Sequence, residues 1–199
     1  FVLRGAVTLS DAQSKVGSSS FYFDGTTGTQ IAAVTARKQI GGTSSAEDDF
    51  KYDADTAFCY EYWVRPTDVS GTHYHLSNYC LSSASGGSGD GNNVELGMYT
   101  SGTDLRVRID DTDRISGVAT VAANTWYHVA VTRNTSNVVT LWLDGVSKGT
   151  YTADQTIGNT RSSLYIGSRY KAAAGGSGID EFDGYIDEVI ISNTVRHTS

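Results

Sequence analysis

WYHVAVTRNTSNVVTLWLDG, residues 126–145, writes out an antiparallel hairpin with both faces legible. Val129 and Val131 alternate with His128, Ala130 and Thr132, which is the period-two pattern of a half-buried strand. Asn134, Thr135, Ser136 and Asn137 then reverse the chain into Val139, Leu141 and Leu143, alternating with Thr140, Trp142 and Asp144. Asp144-Gly145 supplies the next reversal, because glycine accepts the positive φ that a tight two-residue hairpin needs. One apolar and one mixed face define half of a β-sandwich.

Working outward from this hairpin, the same alternation predicts roughly a dozen strands between turn clusters, and no amphipathic helical stretch competes with them. Turn signals recur at the spacing of a sandwich or jelly roll. At 199 residues the chain is read as one large all-β domain over 1–199, an antiparallel β-sandwich long enough to bury a real core. Its 22 Gly, 12 Tyr and single Pro fit frequent turns between β-prone strands. There is no apolar run long enough to span a bilayer as a helix, so membrane insertion is not expected. The formal charge of −7, with scattered Lys and Arg, argues against a nucleic-acid partner. Phe1 stands where an initiator Met is absent, and no signal-like segment precedes it; the chain is read as starting inside a longer or processed polypeptide.

Three polar segments, Gly41–Asp49, Ser82–Asn93 and Lys171–Asp180, interrupt the rhythm and are predicted as loops, either plain surface or a binding rim. Cys59 and Cys80 flank the turn region 66–72. If that region closes a hairpin they face each other, which leaves a disulfide and two buried reduced thiols both open.

Beyond the hairpin, SSSFYFDGTTGTQI (18–31), FCYEYWVRPTDVSG (58–71), SSLYIGSRY (162–170) and FDGYIDEVIISNTVRHTS (182–199) match a known pattern in order and spacing. They resemble the opening, "sFWvkp" and closing strands of laminin-G-like domains of the concanavalin-A-like lectin/glucanase superfamily. The closing phrase is similar to versions in phage tail and other virion proteins, and related modules occur in secreted bacterial proteins. The resemblance implies two curved antiparallel sheets packed face to face. It leaves function open, since this fold carries sugar binders, enzymes, adhesion modules and virion spacers.

The resemblance also implies a structural Ca²⁺, with Asp187 as the matching acidic residue of the closing strand. Asp24 is the carboxylate from the opposite end, and Gly25 offers a carbonyl. The alternative is that Asp24 caps a turn and Asp187 bonds backbone amides. Asp110, Asp111 and Asp113 are read as a turn, without calcium-loop spacing. Glucanases of this fold use an ExDxE strand, whose alternate carboxylates share a face. The nearest match is Glu181-Phe182-Asp183-Gly184-Tyr185, whose fifth position is Tyr185, so hydrolase or lyase activity is the weaker expectation and no catalytic residue is assigned. His73, His75, His128 and His197 have no metal-ligand or triad spacing and are read as surface or interface residues; His73 and His75 are expected on one side of a strand.

A glycan site needs aromatic platforms and planar polar groups. With Leu105, Val107 and Ile109 facing the core, Arg106, Arg108 and Asp110 face outward, together with Glu95 and Tyr99 of the preceding strand. His73, Tyr74 and Tyr79 near one glycine-rich loop, and Tyr170 beside another, complete the candidate surface. The alternative is ordinary cross-strand charge pairing. Asn134-Thr135-Ser136 is a formal glycosylation sequon at a hairpin tip.

The expected function is a non-catalytic binding or adhesion module on a virion or extracellular surface, recognising a glycan or other cell-surface ligand. A decoration or spacer domain contacting sibling virion subunits is the alternative.

Overall fold

The computed structural model describes residues 2–4, 7–26, 30–33, 37–40, 43–46, 50–80, 94–158, 162–171 and 177–197. Two seven-stranded antiparallel sheets account for most of them. With strands numbered along the chain, the first sheet runs β1 (Val2–Arg4), β4 (Gln30–Ala33), β15 (Ser162–Ile166), β8 (Thr72–Cys80), β9 (Val94–Ser101), β10 (Asp104–Ile109) and β11 (Thr112–Ile115). The second runs β14 (Val146–Thr152), β13 (Val138–Leu143), β12 (Tyr127–Arg133), β7 (Phe58–Pro66), β18 (Asp183–Ser192), β3 (Ser20–Asp24) and β2 (Thr8–Ser10). Two small hairpins, β5 (Arg37–Ile40) with β6 (Thr43–Ala46) and β16 (Arg169–Lys171) with β17 (Ser177–Ile179), stand outside them.

The hairpin of residues 126–145 pairs as its alternation predicts, with Val129 opposite Leu143 and Val131 opposite Leu141. These four side chains are almost wholly buried. Asp144 and Gly145 both take positive φ, 52° and 77°, which makes the following two-residue turn the primed type that suits the twist of paired strands.

Between the sheets lies one continuous core that includes Phe23, Tyr60, Tyr62, Leu76, Met98, Val107 and Ile186. Several of its polar groups are paired across the interior. The Tyr60 hydroxyl meets that of Tyr52 at 2.8 Å and accepts from Asn78 Nδ2 at 2.8 Å, while the Tyr62 hydroxyl and His75 Nδ1 share a bond at 3.0 Å. Burial lowers the His75 imidazole to about 3, so it stays neutral inside the core.

Two loop expectations are corrected. Gly41–Asp49 contains β6, which pairs with β5, and Lys171–Asp180 contains β17, which pairs with β16. Ser82–Asn93 lies outside the described residues. The region 66–72 does not close a hairpin: β7 and β8 belong to opposite sheets, since Tyr60, Tyr62 and Val64 of one and Leu76 of the other fill the same core from two sides. Cys59 pairs in register with Thr132 and Ser192, Cys80 pairs with Ser162, and Cys59 is a buried free thiol.

Candidate functional site

The outer face of the first sheet gathers most of the expected ligand-binding residues. Leu105, Val107 and Ile109 are fully buried in the core, which turns Arg106 and Arg108 outward. Tyr74 and Tyr99 are register partners on that face, stacked at 4.6 Å and 8°. Gly97 permits this, because a Cβ there would stand 2.8 Å from Tyr74 Cε1. Arg108 donates to the Tyr74 hydroxyl at 3.1 Å and to Asp113 Oδ1 at 2.8 Å, and Arg106 donates to Asp113 Oδ2 at 3.1 Å and Asp104 Oδ2 at 2.8 Å. The Tyr99 hydroxyl donates to Asp113 at 2.5 Å, and Arg169 caps the Tyr74 ring at 5.5 Å from its centroid.

Convergence does not make an open platform. Tyr74 is 0% and Tyr99 2% exposed, so neither ring is available to stack on a sugar. Their polar neighbours are already bonded to one another, the cross-strand pairing that was the alternative reading. Tyr79 and Tyr170 lie on described strands, but their side chains fall outside the described residues. Glu95 is different: burial, followed by the Asp110 and Asp111 carboxylates, pushes its carboxyl up to about 7. Asp110 and Asp111 have positive φ, 49° and 53°, and form the tight turn between β10 and β11.

The three residues matched to a calcium site do not share one coordination shell. Asp24 pairs with Asp183, and Asp187 lies four register positions further along the ladder, a separation of about 13 Å at 3.3 Å per residue. Asp187, 8% exposed, accepts from the backbone N–H groups of Lys15 at 2.8 Å, Val16 at 2.9 Å and Glu188 at 3.0 Å. Asp24 Oδ1 accepts from the Thr26 N–H and hydroxyl at 3.0 and 2.7 Å, turning the chain at Gly25, whose φ is 69°. Both carboxylates thus hold backbone, and the residues do not fit a common Ca²⁺.

Glu181 precedes β18, so it does not alternate with Asp183 on one strand as an ExDxE pair requires. His73 sits between the carbonyls of Ser70 and Glu181, and His75 faces Tyr62 and Phe182 in the core.

The outer face of the second sheet carries a row that the sequence reading missed. Thr8, Tyr22, Tyr185 and Arg65 are successive register partners across β2, β3, β18 and β7. Tyr22 and Tyr185 lie 4.9 Å apart, the Arg65 guanidinium is 5.6 Å from the Tyr185 ring, and Trp126 is 6.5 Å from it. All three rings are partly exposed. Two residues along β3 and β18, Asp24 and Asp183 place carboxylates on the same side, and the Thr67 hydroxyl donates to Asp183. Burial and the nearby Asp183, Tyr185 and Asp24 raise the Tyr22 hydroxyl above its ordinary value. The signal was present, since period-two alternation in FYFDG and FDGYIDE sends Tyr22 and Tyr185 outward together.

This architecture, with its first and last long strands paired in one of two packed sheets, defines a concanavalin-A-like jelly-roll sandwich. The laminin G model of the concanavalin A-like lectin/glucanases superfamily matches residues 41–199, and the chain belongs to that family. Among solved structures, it is similar to domain 4 of an extracellular arabinanase from Geobacillus stearothermophilus, solved with arabinotriose, at 15% identity and TM-score 0.64 over 96% of this chain and 76% of that one. The endo-β-1,4-glucuronan lyase of the fungus Trichoderma reesei is similar at 13% identity and TM-score 0.60, over 96% and 88%. The binding domain of Paraclostridial Mosquitocidal Protein 1 gives 13% and 0.63, over 98% and 44%. At such identities the likeness is one of fold. No curated protein sequence matches the chain.

Proposed function

We propose that this domain is a carbohydrate-binding module that takes its ligand on the row Tyr22, Tyr185, Arg65 and Trp126. The observation that carries the reading is the row itself: three partly exposed rings with a guanidinium among them and two carboxylates alongside. Sugar rings present apolar C–H faces to aromatic platforms and hydroxyls to planar charged groups, so this composition suits a glycan better than an apolar small molecule. The arabinotriose in a structure of the same fold is consistent with this reading. An extracellular or virion surface is the setting we propose for it.

Glycan-array binding of the full chain tests the proposal. Specific signal that falls in both Tyr185→Ala and Trp126→Ala supports it. No signal, together with self-association through this face, favours a spacer role against sibling virion subunits. A second reading rests on Glu95, whose carboxyl near 7 has the acidity a general acid needs. Depolymerisation of laminarin, agarose or alginate, lost in Glu95→Gln, would establish it.

A further inference from the structure

We propose that Cys59, Glu61 and His197 form a binding site for one transition-metal ion of the zinc class on the outer face of the second sheet. Cys59 and Glu61 are alternate residues of β7 and point to the same side, and His128 stands on the neighbouring β12 opposite Trp63. His197, in the segment after β18, folds back onto this face. The Cys59 sulfur, a Glu61 oxygen and a His197 nitrogen all lie within 4.8 Å of one another. His128 Nε2 is 3.9 Å from Glu61 Oε2, the same oxygen that His197 Nε2 contacts, and the two imidazole rings are 5.4 Å apart.

The donor set suits zinc chemically. One thiolate, one carboxylate and one neutral imidazole, with a water in the fourth position, make an N/O/S shell whose charges cancel those of a divalent ion. Cancellation matters because Cys59 is fully buried and Glu61 is 5% exposed.

Geometry allows the ion in with small movements. Two ligand atoms at zinc distances of 2.0–2.1 Å in a tetrahedron stand about 3.3 Å apart. The Cys59 sulfur, the Glu61 oxygen and the His197 nitrogen, all within 4.8 Å of one another, therefore reach ligand separations through side-chain adjustments alone. Arg196 donates to the other oxygen, Glu61 Oε1, at 2.8 Å, and so leaves Oε2 to the ion. A cleft of about 380 Å³ lined by Thr132, Thr140, Trp142 and Val195 opens beside His197. The competing reading is an ion-pair clasp in which Arg196 and His197 dock the segment on Glu61.

Titration of the reduced full chain with Zn²⁺ by calorimetry, and with Co²⁺ by absorption, separates the two. The proposal expects one equivalent bound, tetrahedral cobalt bands, a thiolate-to-cobalt charge-transfer band, and a raised melting temperature with zinc. Cys59→Ser should remove the charge-transfer band, and His197→Ala should weaken affinity at least tenfold. Cys80→Ser, on the other sheet, should change nothing. Should Cys59→Ser fail to fold, His197→Ala decides. Absence of stoichiometric binding, or unchanged affinity in His197→Ala, overturns the site in favour of the clasp.

Discussion

Replacing Glu95 with glutamine should remove one source of this domain's loss of stability as pH rises from about 5 to 8. The Glu95 carboxyl lies on the outer face of the first sheet, where burial and then the Asp110 and Asp111 charges hold it at about 7, against 4.5 in an unfolded chain. The folded state therefore keeps a proton that the unfolded state releases. The stabilisation from this group is complete below pH 4.5 and is lost as pH rises through 7. At full effect the difference is worth about 3 kcal/mol, and partial solvent access reduces it to roughly 1–2 kcal/mol. Glutamine keeps the donor that the protonated acid offers Asp110 but carries no charge at any pH. Urea midpoints of both proteins at pH 5 and pH 8 measure the effect. Groups common to both, His75 among them, cancel in the comparison. Near-equality at pH 5, with the variant more stable by about 1–2 kcal/mol at pH 8, is expected. A difference that does not grow with pH would refute the placement of Glu95 among uncompensated carboxylates.

Four further outcomes follow from individual contacts. Tyr185→Ala removes the centre of the aromatic row and should weaken glycan binding by about 10- to 100-fold, since an aromatic contact of this size is worth roughly 1.5–3 kcal/mol, while the circular-dichroism spectrum stays that of the wild type. Gly97→Ala drives a methyl into the Tyr74 ring and should lower stability by about 1–3 kcal/mol in denaturant melts. Asp187→Ala strands the backbone N–H groups of Lys15, Val16 and Glu188 and should cost about 2–4 kcal/mol, also measured by denaturant. The Cys59 thiol, buried and raised to about 11, should resist iodoacetamide in the native protein at pH 7.5 and react on unfolding, as read by mass spectrometry.

The architecture was legible because alternation is a local property. Val129, Val131, Leu141 and Leu143 declare their face within twenty residues, and Leu105, Val107 and Ile109 do the same. Sheet membership is not local. The 66–72 turn looks like a hairpin closure in sequence, and only the shared core of Tyr60, Tyr62 and Leu76 shows that β7 and β8 cross between sheets. The candidate site was half legible for a related reason. Outward direction can be read from period two, so Arg106, Arg108, Tyr99 and Glu95 fall on one face as expected. Whether an outward ring stays open depends on Arg169 over Tyr74 and on the pairing of Tyr74 with Tyr99, which join residues 95 and 25 positions apart. Tyr22, Arg65, Trp126 and Tyr185 come from four separate stretches, and only register aligns them. Asp187 was singled out by its place in the closing strand, but the amides it holds belong to Lys15 and Val16, more than 170 positions away.

The most direct test of the carbohydrate reading is ligand mapping by nuclear magnetic resonance, using the isotopically labelled full chain and the best oligosaccharide from the glycan array. Shifts concentrated on the Trp126 indole, Tyr22, Tyr185 and Arg65, saturating together, are expected. Shifts centred instead on Arg106, Arg108 and Glu95, with the Trp126 indole unmoved, would contradict it.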